Sequence, residues 1–397
     1  MKLKSMKLFT LFIACLLLVP SGAFAMEESA EQAAEQQSAT PDLAPSAMSA
    51  ILMDAESGTI IYDKNSNEKL PPASITKVMT LLLIMESLQD GKIKMTDKVR
   101  TSERAASMGG SQIFLEQGEE MTVEEMLKGI ALASGNDASV AMAEKLAGTE
   151  QQFVDMMNKR AKELGMNNTH FVNASGLPAN NHYSTALDIA IMSRELLKHP
   201  EVLAYTGLYQ DYLRKTSEKP FWLVNTNKLV RFYSGADGLK TGYTSEAKYC
   251  LTATAKRDNL RVIAVVMGEP TTKQRNAEVS QMLDYTFSQY MNHTLVNKGD
   301  TIGQLAVEKG KESQLTLMAD KPLTMLLKKG TPVENIRQEL HWNEPLKAPI
   351  KQGEQLGKLK VYQNEQLVKE FDITAPQSIS KANWWHLLKR SVSGLFT

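Results

Sequence analysis

The sequence predicts an α+β protein, in which helices pack on an antiparallel sheet and a small all-β domain follows. A hairpin pattern near residue 50 precedes a long helical block, and three β-rich runs follow near residue 250. After residue 295, short apolar runs are punctuated by glycine. Strands on both sides of a helical block indicate one sheet with helices packed on it. Short apolar runs separated by glycine are typical of a β domain.

The overall composition is that of a globular protein. The chain has 397 residues, with 45 basic and 45 acidic side chains and 43% hydrophobic residues. This length suggests two domains, and the composition excludes collagen-like and wholly disordered chains. A net charge of zero gives no sign of nucleic-acid binding. No run of 18 apolar residues occurs in the body of the chain, so no internal membrane span is expected.

Residues 1–25 have the pattern of a signal peptide. Three lysines precede an apolar run from Leu8 to Val19, and Ala23-Phe24-Ala25 supplies a small-x-small cleavage site. The alternative is an uncleaved anchor, for which the apolar run is short. Cys15 lies inside the apolar run rather than at its end, which argues against a lipoprotein. We therefore expect a protein secreted across the cytoplasmic membrane, with Cys250 as its remaining, buried cysteine.

The folded part of the chain is predicted to begin after an acidic linker. Residues 26–45 contain five acids, no base and no aromatic residue, so they are predicted to be disordered. The first predicted domain spans residues 46–292. It opens with two short apolar runs, Ala50–Met53 and Thr59–Tyr62, whose connection contains glycine and indicates a hairpin.

Four helices are predicted from apolar periodicity and from their end signals. They are Ser74–Leu88 before Gly91, the segment from the Thr122-x-x-Glu125 capping box to about Ala133, Asp137–Leu146 before Gly148, and Glu150–Leu164 before Gly165.

The later part of this domain is predicted to be an antiparallel meander followed by a helix. The strands are Gly238–Tyr243, Tyr249–Lys256 and Arg261–Met267, with a tight turn at Asp258-Asn259, and the helix is Thr272–Tyr290.

Two further segments follow this domain. Residues 293–376 are predicted to form the small β-rich domain, and residues 377–397 an amphipathic helix. On this helix Trp384, Trp385 and other apolar residues share one face, and no acid follows Asp372. A basic amphipathic helix with paired tryptophans is typical of a membrane-surface anchor. The alternative is a terminal helix docked on the protein's own core.

Several kinds of catalytic site are absent from the sequence. There is no His-Glu-x-x-His pattern, no Gly-x-Ser-x-Gly elbow and no phosphate-binding glycine-rich loop. The six histidines lie at no ligand spacing, so a structural or surface role is expected for each. No metal and no cofactor are predicted.

The segment Ser74-Ile75-Thr76-Lys77 is a candidate catalytic site in which a lysine activates a serine. One helical turn places the hydroxyl and the amine on the same face, at a helix N-terminus that adds partial positive charge. Such a setting favours a neutral Lys77 that accepts the Ser74 proton. The pattern alone is weak, because three other Ser-x-x-Lys matches occur in the chain.

Ser134-Gly135-Asn136 lies between two predicted helices, where side chains can point into a cleft. Ser134 is a candidate proton relay between Lys77 and the leaving amine, and Asn136 a candidate ligand of a substrate amide. Taken alone, the motif also fits an ordinary turn between helices.

Lys240-Thr241-Gly242 lies within a predicted strand. Lys240 and Thr241 are candidates for binding a substrate carboxylate, and Gly242 permits close approach of another chain. The backbone N–H of Tyr243, paired with that of Ser74, is a candidate oxyanion hole. The alternative interpretation is a charged strand edge.

In this order the three motifs resemble the penicillin-recognising serine acyl-enzyme superfamily. Within it, the chain is most similar to the low-molecular-mass penicillin-binding proteins that are D-alanyl-D-alanine carboxypeptidases, of the DacF type. The likeness extends to Pro71-Pro72-Ala73, to Asn168-Thr169-His170-Phe171 and to Ser184-Thr185-Ala186. It covers essentially the whole chain after the signal peptide.

The resemblance implies a β-lactamase-like catalytic domain that removes the C-terminal D-alanine from the peptidoglycan stem pentapeptide, with β-lactams as covalent inhibitors. It implies that Ser74 is acylated, that Lys77 accepts its proton, that Ser134 relays a proton and that Lys240 binds substrate. The family also uses an arginine beyond the last strand, for which Arg275 is the candidate.

Two alternatives share these motifs. A class A β-lactamase needs a deacylating glutamate, and Glu163 with Asn167 has suitable spacing, although Gly165 indicates a helix end there instead. A non-catalytic penicillin-binding sensor would be acylated without turnover. Release of D-alanine from a peptide separates the sensor from the carboxypeptidase.

Overall fold

The computed structural model of the chain describes residues 41–343 and 345–384. The predicted signal peptide, the linker up to residue 40 and the tail from residue 385 lie outside these residues. Within the described part, no helix is both long and apolar enough to cross a bilayer.

The catalytic domain is built on a five-stranded antiparallel sheet with the order β2-β1-β9-β8-β7. Two small two-stranded antiparallel sheets, β3–β4 and β5–β6, are separate from it. The strands are β1 (Ser49–Asp54), β2 (Ile60–Lys64), β3 (Lys98–Arg100), β4 (Glu120–Thr122), β5 (Gln210–Leu213), β6 (Phe221–Val224), β7 (Ala236–Thr244), β8 (Lys248–Arg257) and β9 (Leu260–Glu269).

Both faces of the sheet are buried, which explains its nearly continuous apolar runs. Successive side chains of a strand point to opposite faces. Accordingly, Ile263 and Val265 of β9 lie in the larger core, whereas Val262 and Ala264 lie in the core on the other side. The predicted hairpin and the predicted meander are confirmed, each strand being one to three residues longer or shifted.

Helices cover the two faces unequally. Helices α1 and α3 to α6 contribute buried residues to the larger core, and α9 packs across the opposite face on β8 and β9. The helices are α1 (Lys77–Gln89), α2 (Glu103–Ala106), α3 (Val123–Ala131), α4 (Asn136–Ala147), α5 (Glu150–Glu163), α6 (Ala186–Leu196), α7 (Leu203–Thr206), α8 (Leu229–Phe232) and α9 (Thr272–Gln289).

The predicted long helices are confirmed, with one local difference at the first of them. The capping box is formed by Thr122 and Glu125, and α5 ends before Gly165, whose φ is +77°. The first helix does not begin as an α-helix at Ser74. A 3-10 turn, Ala73–Thr76, comes first, and the α-helical part begins at Lys77.

The all-β domain contains strands β10 (Tyr290–Val296), β11 (Thr301–Glu308), β12 (Gln314–Met318), β13 (Leu323–Lys328), β14 (Ile336–Trp342), β15 (Leu346–Lys347), β16 (Gln355–Gln363) and β17 (Gln366–Thr374). They form small sheets around a third core of their own. The prediction that this part of the chain forms a small all-β domain is confirmed.

Three predicted boundaries need correction. The linker does not extend to residue 45, because Leu43 and Ala44 are buried in the core beneath α9. The β domain begins at Tyr290 rather than 293, since β10 follows α9 without a loop. At the other end Ile379 is buried and bridges to Ile350, so the start of the predicted tail belongs to the β domain.

Candidate active site

Ser74 lies on the 3-10 turn that connects the first hairpin to α1. Ala73, just before it, has a φ of +48°, a conformation that costs a non-glycine residue free energy and often occurs at functional sites. The Ser74 side chain is half-buried, whereas Ile75 and Thr76 are buried. The turn therefore leaves the Ser74 side chain partly accessible to solvent.

Lys77 is fully buried, and its amine lies 3.0 Å from the Ser74 hydroxyl oxygen. Nζ donates to Asn136 Oδ1 at 2.7 Å and to the Ser175 carbonyl at 2.6 Å. A neutral amine has two hydrogens and one lone pair. Because these two acceptors engage both hydrogens, the lone pair is left facing Ser74.

Burial lowers the pKa of Lys77 well below its ordinary value, because the ammonium form loses its hydration. The nearby charge of Lys240 lowers this pKa further, and the carboxylate of Asp137 opposes the change. Asp137 accepts hydrogen bonds from the backbone N–H groups of Ile113 and Leu115. The environment therefore favours the neutral amine that a proton acceptor needs.

The predicted Ser-x-Asn motif lies at the break before α4. Ser134 has a φ of +61°, and its buried hydroxyl has no hydrogen-bond partner among the described residues. Buried polar groups are seldom left unpaired without a functional reason. Asn136 contacts Lys77 through its carbonyl oxygen, and its amide nitrogen donates to Gly109 O at 2.7 Å. Both ends of this side chain are thus engaged within the protein.

The predicted Lys-Thr-Gly motif lies on β7, at the edge of the sheet next to the nucleophile's turn. Lys240 is 1% exposed, and its Nζ donates to the Thr241 carbonyl at 3.1 Å. The Thr241 hydroxyl donates to Thr226 Oγ1 at 2.7 Å. Burial and the charge of Arg275 lower the pKa of Lys240 to about 7.

Gly242 makes room for the nucleophile's own turn. A Cβ at Gly242 would lie 3.0 Å from the Pro72 carbonyl oxygen and 3.2 Å from the Ile75 nitrogen. The close approach predicted at this glycine is therefore present, but the approaching chain is the Ser74 turn rather than a substrate. This packing places Tyr243 beside the turn, with its side chain 54% exposed and stacked on Tyr249.

Arg275 lies in the first turn of α9 and is buried. Its guanidinium donates to Asn276 Oδ1 at 2.9 and 3.1 Å. Burial lowers its pKa, and its charge acts on Lys240. The structure therefore brings this candidate into electrostatic reach of the Lys-Thr-Gly motif, although it shows no direct contact between the two.

Sequence reasoning missed two groups that shape the site. The Ser175 carbonyl is a backbone atom, and no residue pattern marks it. Asp137 carried a signal that was not used, since it is an acid next to Asn136 at the start of a buried helix. A cavity of about 510 Å³ opens beside the turn, and its lining includes Ala73, Gly176 and Thr244.

Cys250 is buried, as predicted, and burial raises the pKa of its thiol to about 11. The β-lactamase candidate Glu163 ends α5 and forms ion pairs with Lys159 and Arg160. Its carboxylate is thus engaged at a helix end, as the glycine cap predicted, rather than presented to the Ser74 turn.

Comparisons with known proteins agree with this geometry. The sequence model of the D-alanyl-D-alanine carboxypeptidase family matches residues 33–271, and that of the penicillin-binding protein 5 C-terminal domain matches residues 290–381. The chain is 52% identical to D-alanyl-D-alanine carboxypeptidase DacF of Bacillus subtilis, over 97% of each chain.

Solved structures of penicillin-binding proteins are also similar to this chain. Penicillin-binding protein 5 from Haemophilus influenzae is 30% identical with a TM-score of 0.71, over 86% of this chain and 100% of that chain. Penicillin-binding protein D2 from Listeria monocytogenes, in an ampicillin-bound form, is 32% identical with a TM-score of 0.55, over 61% of this chain and 98% of that chain. The chain therefore belongs to the D-alanyl-D-alanine carboxypeptidase family and is a serine-type enzyme of that class.

Proposed function

We propose that the chain releases the terminal D-alanine of peptidoglycan stem peptides through an acyl-enzyme on Ser74, with Lys77 as the proton acceptor. The observation that carries this proposal is the Lys77 amine. Its Nζ donates to Asn136 Oδ1 and to the Ser175 carbonyl and lies 3.0 Å from the Ser74 hydroxyl oxygen, so that in the neutral amine the remaining lone pair faces that hydroxyl. This is the geometry that activates a serine without a histidine.

In the first step Ser74 Oγ attacks the penultimate D-alanine carbonyl, and its proton passes to Lys77. The backbone N–H groups of Ser74 and Tyr243 hold the oxyanion. The proton then reaches the leaving amine through Ser134, whose unpaired buried hydroxyl is free for that exchange. The C–N bond breaks, D-alanine leaves, and water hydrolyses the ester.

The buried cations Lys240 of β7 and Arg275 of α9 indicate where the substrate carboxylate binds. Lys240, Thr241 and Arg275 would receive the terminal carboxylate, since buried cations gain most from an anionic partner. The acyl part of the peptide would then extend past Thr244, where the cavity beside the turn opens. In this arrangement the Asn136 side-chain oxygen accepts a hydrogen bond from Lys77. Its amide nitrogen binds a substrate amide only if that bond replaces the present one to the Gly109 carbonyl.

The test is intact-mass analysis after mixing the protein with benzylpenicillin. We expect one persistent adduct that maps to Ser74 and is absent in Ser74→Ala. Ser245→Ala is the matched control, because Ser245 begins another Ser-x-x-Lys match and is exposed. An adduct of wild-type yield in Ser74→Ala contradicts the assignment.

Turnover distinguishes the enzyme from the two alternatives. We expect D-alanine release from a peptide ending in D-alanyl-D-alanine. Rapid consumption of the drug with a transient adduct would favour a β-lactamase, and an adduct without peptide turnover would favour a sensor.

We also propose that the chain is exported and held at the outer face of the cytoplasmic membrane by its C-terminal tail. The support is the signal-peptide pattern and the basic amphipathic pattern of the tail. Trp384, the last described residue, is 63% exposed at the start of this segment.

Deleting residues 385–397 tests the anchor without removing Ile379 from the β domain. We expect the full-length protein to sediment with anionic phospholipid vesicles and the truncated protein to remain in solution. Equal sedimentation of both proteins contradicts the anchor.

A further inference from the structure

His182 lies behind the nucleophile's turn and is buried, with 7% of its surface exposed. Its Nδ1 accepts a hydrogen bond from the Val172 backbone N–H at 3.1 Å, and its Nε2 lies 2.8 Å from Thr76 Oγ1. A backbone N–H only donates, so Nδ1 carries no proton. The neutral ring therefore has its hydrogen on Nε2, which donates to the Thr76 hydroxyl.

These two bonds join two parts of the site that are far apart in sequence. Thr76 lies between Ser74 and Lys77 on the nucleophile's turn. Val172 begins the segment Val172–Gly176, whose Ser175 carbonyl accepts a hydrogen bond from Lys77. His182 thus connects the turn to the segment that holds the amine.

Other contacts also hold this segment against the turn and α1. Thr80 donates to the Ala174 carbonyl at 2.7 Å, which ties the segment to α1 one turn further along. Asn173 Oδ1 accepts from the backbone N–H groups of Ser175 and Gly176. Gly176 packs so closely that a Cβ there would lie 1.8 Å from the Ala73 carbonyl oxygen.

We propose that His182 is a positioning residue for acylation: its neutral imidazole keeps Thr76 and the Ser175 carbonyl in register, so that the lone pair of Lys77 points at Ser74. The inference rests on the roles of Ser74 and Lys77 in the proposed function. In this role His182 acts through Thr76 and the Ser175 carbonyl, and it does not carry the transferred proton. Burial, with a smaller contribution from His170, lowers its pKa to about 4, which agrees with a permanently neutral ring.

The test must separate positioning from folding. We would titrate active sites with a stoichiometric fluorescent penicillin, and then measure the acylation rate constant and the non-covalent binding constant per titrated site. Loss of folded protein lowers the number of sites. Misplacement of Lys77 lowers the rate constant at each remaining site.

His182→Phe removes both hydrogen bonds and keeps a ring of similar size. We expect an acylation rate constant about 10- to 100-fold lower per titrated site, the scale of a 1 Å misplacement. Penicillin binding before acylation should stay within twofold, because Lys240 and Thr241 are untouched. His182→Gln, which can still donate to Thr76, should recover part of the rate.

Two further variants complete the experiment. Thr76→Val removes the accepting hydroxyl and should reproduce the rate loss, and combining it with His182→Phe should add little. His170→Phe is the matched control, because His170 belongs to the same loop, is exposed, and the described hydrogen bond of its side chain goes to the Asn181 carbonyl; its backbone bonds to Tyr183 are kept by the substitution. Its rate should be that of the wild type.

An unchanged rate constant per site in His182→Phe overturns the inference, as does a change confined to binding. If His182→Phe yields no folded protein, a wild-type rate in Thr76→Val has the same meaning. Failure of the proposed function would show differently, as a penicillin adduct that survives Ser74→Ala.

Discussion

Three buried basic side chains determine the electrostatics of the site. Lys77, Lys240 and Arg275 are each less than 5% exposed, and burial lowers the pKa of all three. Repulsion adds to this effect, from Lys240 on Lys77 and from Arg275 on Lys240. A substrate carboxylate relieves both costs for Lys240 and Arg275, because it pairs with their charges and replaces their lost hydration.

These shifts predict a bell-shaped pH profile of kcat/KM for a D-alanyl-D-alanine peptide. Lys77 acts as the neutral amine, so activity falls when pH drops below its lowered pKa. Lys240 acts as the ammonium, so activity also falls as pH rises through its pKa of about 7. In kcat the upper limb should move to higher pH, because a bound carboxylate raises the pKa of Lys240.

A peptide with a C-terminal amide is the control for this profile. It has no carboxylate for Lys240 to bind, so the upper limb should disappear while the lower limb remains. An upper limb at the same pH for both peptides would assign it to a different group.

At this scale the sequence predicted most side chains of the site but not their partners. The three motifs contain hydroxyl and amine side chains whose chemistry indicates a role in acyl transfer. These side chains are Ser74, Lys77, Ser134 and Lys240. The partners of Lys77 were not predictable, because one is a backbone carbonyl 98 residues away. The bond from Asn136 to Lys77 depends on packing that no local pattern encodes.

The nucleophile's turn is held from two sides by glycines. Gly242 of β7 packs against it on one side, and Gly176 packs against it on the other. Gly176 has a φ of +85° and almost no space for a side chain. The turn is thus confined by backbone contacts, which fix Ser74 more rigidly than flexible side chains would.

Gly176→Ala should therefore damage both stability and catalysis. Left-handed strain costs roughly 1–2 kcal/mol and overpacking roughly 1–3 kcal/mol, so we expect the free energy of unfolding to fall by about 2–5 kcal/mol. Displacing Ser175 should also lower the acylation rate per titrated site. Chemical denaturation and penicillin acylation measure the two effects.

Gly165→Ala is the matched control. Gly165 also has a left-handed φ, +77°, but nothing lies within 4 Å of the position its Cβ would take. We expect a loss of only about 1–2 kcal/mol and an unchanged acylation rate. Equal losses in the two variants would show that the contact with Ala73 is unimportant.

Most elements with strong local signals were predicted, but α6 was not, although the side chain of Thr185 caps its N-terminus. The capping box of α3 and the glycine after α5 are residue types that mark helix ends in the sequence. The structure shows the hydrogen bonds and the positive φ that these residue types favour. The 3-10 form of the Ser74 turn is different, because it depends on β7 packing against it. Helix α7, with four residues, is too short for periodicity to detect.

The two domains have separate cores and a modest junction. α9 continues directly into β10, Asn292 donates to the Asn259 carbonyl at 3.0 Å, and Lys329 donates to the Phe287 carbonyl at 2.7 Å. An exposed pair, Lys321 and Glu56, adds little because solvent screens it. In sequence, this junction has no linker of distinctive composition, which is why the boundary was misplaced by three residues.

This organisation predicts that damage to the β-domain core leaves the chemistry intact. Leu317 on β12 is 1% exposed in the third core, so Leu317→Ala should cost about 2–5 kcal/mol of that domain's stability. Calorimetry should show the β-domain transition at lower temperature, while penicillin acylates Ser74 at the wild-type rate. Leu82→Ala, in the core around α1, should slow acylation, because Leu82 supports the helix that carries Lys77. A slower acylation in Leu317→Ala would mean that the β domain acts on the catalytic site through the junction, rather than only supporting it.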